Sequence, residues 1–119
     1  MRHLRGNKKI ARPTDQRLAL LKSQAKSLIE HGELVTTRAK AKSLARFVQK
    51  LVTFARKGDV ASLREIRKQI DDRRAIQKLT TEIVPKLSSS GGGEVSIYSA
   101  GQRRGDGAEI AVITFNTTQ

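Results

Sequence analysis

Residues 38–57, RAKAKSLARFVQKLVTFARK, separate into two faces when set at helical spacing, and no other stretch constrains the fold as much. Leu44, Phe47, Val48, Leu51, Val52, Phe54 and Ala55 occupy one half and need a surface to cover. Lys42, Arg46, Lys50 and Lys57 share a narrow sector of the other half, and the whole stretch contains no acid. Like charges four residues apart destabilise a helix by roughly 0.2–0.5 kcal/mol per pair. A solvated face ordinarily mixes signs. An all-cationic face is relieved instead by lying beside a polyanion.

The surrounding sequence supplies the surface that the apolar half needs. Leu18, Leu21, Ala25, Leu28 and Ile29 recur at three- and four-residue spacing after Pro13, which predicts a first helix from Thr14 or Asp15 to the stop at Gly32. ELVTT (33–37) is short and β-branched, so it reads as a brief strand, with Thr36 or Thr37 capping the next helix. Gly58 followed by Asp59 is a stop and an N-cap. Leu63, Ile66 and Ile70 then give a short third helix. A fourth starts at Asp71 or Asp72, turns Ile76, Leu79 and Ile83 inward and closes at Pro85. These two helices mix Arg64, Glu65, Arg67, Lys68, Asp71 and Asp72, as solvated scaffold surfaces do.

SSSGGG (88–93) has the composition of a flexible loop. EVSIYS then alternates and AEIAVITF is apolar on both faces, with GQRRGDG between them, so the chain ends in a β-hairpin with a long basic loop. The doubly apolar strand is the more buried of the two, and ELVTT is a candidate neighbour. The expected fold is α+β: four helices on a small mixed sheet, forming one domain over residues 14–119. Residues 1–13, MRHLRGNKKIARP, hold Arg2, Arg5, Lys8, Lys9 and Arg12 with no acid and little to bury. They read as an arm that orders only against phosphates.

Charge sharpens the functional reading. The 119 residues carry 24 Lys plus Arg and 11 Asp plus Glu, a net +13. Residues 1–57 hold 15 basic and 3 acidic side chains, whereas 58–119 hold 9 and 8, so the front half binds and the back half balances itself. With no Cys there is no disulfide framework, and the charged start and lack of a long apolar run read as a soluble intracellular chain.

Catalytic patterns are missing. His3 and His31 are the two histidines, and neither sits near Asp, Glu or Cys in a pattern that suggests a base or a metal-ligand set. Thr36 and Thr37 read as caps rather than nucleophiles, and there is no phosphate-loop or dinucleotide motif. No cofactor, metal or small-molecule substrate is expected. Arg104-Gly105-Asp106 spells an adhesion tripeptide, but Arg103 and Arg104 read first as forks for phosphate, second as part of a plain turn and only distantly as an integrin ligand.

Among polyanions, a membrane would need the apolar face that the sheet already claims, so no membrane contact is expected. A helix-turn-helix for DNA is interrupted by the apparent strand, and aromatic platforms for single strands are missing. Backbone and shape recognition of a folded RNA remains. A nucleoid-type, sequence-nonspecific DNA-binding protein is the alternative.

Several stretches together carry a resemblance: MRH at the start, the following KK and Arg12, QRLALL, SLIEHGELVTTRAKAKSL, LVTFARKGD and RRGDGAEIAVI. In this order, spanning nearly the whole chain, they resemble the bacterial and organellar large-subunit ribosomal protein L-seventeen family. The resemblance implies a non-enzymatic structural component that binds large-subunit rRNA beside neighbouring ribosomal proteins, on a cytoplasmic or organellar ribosome. It implies rRNA contacts at Arg2, His3, Lys8, Lys9 and Arg12, at Thr36, Thr37, Arg38, Lys40 and Lys42, and at Arg103 and Arg104. The residue reading adds Arg5, Arg46 and Lys50. Relatives commonly place an aromatic and a basic residue where this chain has Glu94 and Ser96, often an aromatic at Thr80, and frequently His at Gln16.

Overall fold

The computed structural model describes residues 14–87 and 94–117. Helix α1 (Thr14–His31) leads through strand β1 (Glu33–Thr37) directly into α2 (Arg38–Lys57), then α3 (Val60–Gln69) and α4 (Arg73–Lys78). A π-helical segment (Leu79–Ile83) and a 3-10 turn (Val84–Lys86) follow α4, and β2 (Val95–Gln102) and β3 (Glu109–Phe115) end the fold. The proposed arm (1–13) and the SSSGGG loop lie outside the described residues.

Local chemistry sets the boundaries. Thr37 accepts from Lys40 N–H at the start of α2, and Asp59 accepts from Ser62 N–H at 2.8 Å to cap α3. Asp72 caps α4 by accepting from Arg74 and Ala75 N–H at 3.0 and 3.3 Å. The Ser62 side chain and, after it, the Ser62 N–H hold the Asp59 carboxyl below its ordinary value, and the Ala75 N–H leads in doing the same at Asp72. Gly58 ends α2 at φ +66°, a left-handed conformation that a side chain disfavours, and its N–H donates to Phe54 O. Beyond α4 the ladder loosens: Thr80 and Thr81 hydroxyls donate to the carbonyls of Ile76 and Gln77, and this side-chain competition accompanies the switch to π geometry.

The sheet order is β1-β3-β2, with Glu33 opposite Thr114 through Thr37 opposite Ile110, and Val95 opposite Phe115 through Ser99 opposite Ala111. The doubly apolar strand is therefore central, but the expected mixed sheet is corrected: both pairings are antiparallel. Topology gives the reason. The helices return the chain to the end of the sheet where β1 began, so β2 runs in the same direction as β1. The hairpin then sends β3 back between them, antiparallel to both.

One core cluster joins the layers. Leu28, Ile29, Leu44, Val48, Leu51, Val52, Ile66, Ile70, Leu79 and Ile113 are buried, with Leu34, Ile97, Phe47 and Phe54 packed partly against them. Leu18, expected to face inward, is 37% exposed and lies outside the cluster, at the first turns of α1. Arg56 Nη1 lies 3.1 Å from Glu94 Oε2, pinning the start of β2 to the end of α2.

Replacing Ile113 by Ala should lower unfolding free energy by about 2–5 kcal/mol in urea denaturation, the cost of a cavity beneath the central strand. Val35→Thr, on the outer face of the same sheet, should stay within about 0.5 kcal/mol.

Candidate nucleic-acid interface

Burial of Ala41, Leu44, Val48, Leu51, Val52 and Ala55 fixes the rotation of α2, and Lys42, Arg46 and Lys50 are consequently exposed on its far side. At about 1.5 Å per residue, Arg38 to Lys50 spans about 18 Å of helix edge. The first turn contains no acid. Arg38 and Lys40 stand where the helix dipole is positive, an arrangement that an anion would stabilise twice over.

Pairing of β1 with β3 brings a second cationic group to this end. Thr37 is opposite Ile110, and Arg38 Nη1 reaches Glu109 Oε2 at 3.4 Å, so the start of α2 and the β2–β3 loop share one end of the sheet. Within the loop Arg103 and Arg104 differ. Arg103 Nε and Nη2 donate to the two oxygens of Asp106 at 3.2 and 2.6 Å, and Ala108 N–H donates to Asp106 Oδ1 at 3.1 Å. The Arg103 guanidinium, and after it the Ala108 N–H, holds the Asp106 carboxyl down at about 2. Arg103 thus braces the turn from inside. Among the described residues no salt bridge involves Lys40, Lys42, Arg46, Lys50 or Arg104.

Comparison with known proteins decides the family. The family model for ribosomal protein L17 matches residues 20–116. The chain belongs to that family. It is 46% identical over 113 residues to the large ribosomal subunit protein bL17 of Gemmatimonas aurantiaca, covering 95% of this chain and 96% of the relative. It is 40% identical over 116 residues to bL17 of Coprothermobacter proteolyticus, covering 98% and 99%. It is 38% identical over 108 residues to bL17 of Clostridium botulinum strain Hall, covering 91% and 96%. Members of the L17 family are structural components of ribosomes and not enzymes, and this chain is one of them.

The predicted positions are unequal against this fold. Arg38, Lys40, Lys42 and Arg104 gather at one end, and Arg46 and Lys50 continue along α2. Thr37 and Thr36 have internal partners: Thr37 caps α2, and Thr36 Oγ1 accepts from Gln24 Nε2 at 3.2 Å. Arg2, His3, Arg5, Lys8, Lys9 and Arg12 fall outside the described residues. Glu94 and Ser96, where β2 begins, have internal partners. Glu94 is buried against Arg56, and Ser96 Oγ donates to Asn116 Oδ1 at 2.6 Å. Spacing alone could not reveal the Glu94 pairing, because Arg56 is on a different element. Among the described residues no group of three His, Asp or Glu could hold a metal ion, and no helix is long and apolar enough to cross a membrane.

The pH dependence of the turn follows from the Asp106 shift. Its folded pKa of about 2 lies below the ordinary 3.8, so the brace is complete above pH about 4 and is lost as pH falls toward 2. A carboxyl-carbon NMR titration should place the Asp106 midpoint near 2, and Arg103→Gln should return it toward 3.8.

Proposed function

We propose that this chain is a structural constituent of the large ribosomal subunit, contributing to translation by binding and stabilising folded large-subunit rRNA. Residues 1–13, with five cations and no acid, supply further phosphate contacts. Lys42, Arg46 and Lys50 line the phosphate backbone along α2, and Lys40 contacts it at the helix start. Arg104 contacts it from the hairpin loop, while Arg103 holds that loop in shape. Arg38, bridged to Glu109, keeps the helix and loop surfaces in fixed relation and offers its remaining donors to phosphate.

The observation that carries this reading is the convergence of the α2 start and the hairpin loop on one end of the sheet, with cations there that no described acid pairs. The printed role of the bL17 relatives, proteins of the large ribosomal subunit, agrees with it. Recognition of this kind rests on charge neutralisation and shape, with affinity dominated by counterion release. The nucleoid-type alternative finds no support in these relatives. It predicts equal affinity for duplex DNA, so a competition between rRNA fragments and duplex DNA separates the two. The ribosome in question, cytoplasmic or organellar, follows from fractionation.

Changing Lys42, Arg46 and Lys50 together to Gln should weaken binding to large-subunit rRNA fragments and flatten the dependence of log K on log salt by up to about 0.7–0.9 per charge removed. An unchanged affinity and slope would take the α2 face out of the interface. Arg104→Ala should weaken rRNA binding with the thermal midpoint unchanged, whereas Arg103→Ala should also loosen the loop.

A further inference from the structure

One face of the sheet packs on the helices, and among the described residues the other is left open. Strand register lays three rows across that outer face. Glu33, Thr114 and Ser96 form the first, Val35, Val112 and Tyr98 the second, and Thr37 with Ile110 begins the third. The middle row is apolar: Val35 is 62% and Tyr98 56% exposed, with Val112 half-buried between them. The hydroxyls of the first row are used internally, Ser96 donating to Asn116 and Thr114 donating to Gly32 O at 3.1 Å. Glu33 is the only charged residue in these rows, and among the described residues it has no salt bridge.

Three occupants can be weighed against this chemistry. RNA would bring phosphates to a surface whose one charge is negative, and without cations it would gain no counterion release. A second copy of this chain would find too little area. Strands of five, eight and seven residues, at about 3.4 Å rise and about 4.8 Å spacing, cover on the order of 330 Å², against roughly 800 Å² per partner in a stable interface. A single extended segment needs only such a strip. Its apolar side chains would cover the Val35–Val112–Tyr98 row, and a cation would meet Glu33.

We infer that the outer sheet face docks an extended, apolar segment of a neighbouring large-subunit protein, with a Lys or Arg of that segment beside Glu33. This rests on the ribosomal reading above. It divides the molecule into an RNA surface at the α2 start and hairpin loop, and a protein surface on the open sheet.

The test uses the whole chain in assembled particles. With p-benzoylphenylalanine in place of Tyr98, irradiation of purified large subunits should cross-link the chain to one peptide of another large-subunit protein, identified by mass spectrometry. A cross-link to a nucleotide, to this chain or to a second copy, or none at all, overturns the docking inference and leaves the rRNA reading standing. Absence of the chain from purified large subunits overturns both. As a second measurement, Val35→Thr combined with Tyr98→Thr, which removes the apolar row without adding charge, should leave the thermal midpoint nearly unchanged and the rRNA-fragment affinity of the isolated protein unchanged. The same change should speed its loss from salt-washed subunits by roughly tenfold, as removal of an interface anchor does. Weaker rRNA binding by this variant would mark the face as an RNA surface instead.

Discussion

The antiparallel pairing of a five-residue strand, Glu33–Thr37, with the central strand is the contact on which the remaining structure depends. It joins the front of the chain to its end, since Arg38 and Glu109 meet across 71 residues of sequence. Because β1 runs without a linker into α2, the register of that strand also sets where α2 begins and which edge it presents. Loss of the pairing would leave a cationic helix and a basic loop with no fixed distance between them.

Electrostatics within the fold follow a consistent division. Four acids in the described structure are spent on internal order: Asp59 and Asp72 cap helices, Asp106 braces a turn, and Glu94 anchors β2 to Arg56. None of these acids lies within salt-bridge range of Lys42, Arg46 or Lys50. Their mutual repulsion is tolerable because the opposite half of α2 is buried in the core, where burial of residues such as Leu44 and Leu51 is worth about 1.5–3 kcal/mol each. Core packing thus holds the helix in a state that its own surface opposes, and the opposing charge is available to a partner.

The hairpin loop shows how adjacent residues of one type acquire different jobs. Arg103 and Arg104 are equivalent as a sequence string, but the turn directs Asp106 back onto the Arg103 guanidinium and leaves Arg104 outside. A guanidinium with both arms on a carboxylate has fewer donors for phosphate. One of the two adjacent guanidinium groups is therefore engaged within the loop. A similar division separates the faces of the sheet, where Leu34 and Ile97 join the core while Val35 and Tyr98, one residue along, remain outside.

Features governed by near neighbours were legible in the sequence: the limits of α1, α2 and α3, the cap at Asp59 and, to within one residue, those at Thr37 and Asp72, the stop at Gly58, the hairpin and the separated faces of α2. Periodicity and capping act over about four residues, so the string itself contains the cause. The apolar character of AEIAVITF even marked it as the central strand, because burial on both faces requires neighbours on both sides. Strand direction, the engagement of Arg103 by Asp106, the Arg56–Glu94 anchor and the meeting of Arg38 with the hairpin were decided only in the tertiary structure. Each depends on the path the helices take through space, and contacts between distant residues arise from how the core packs rather than from any local spacing.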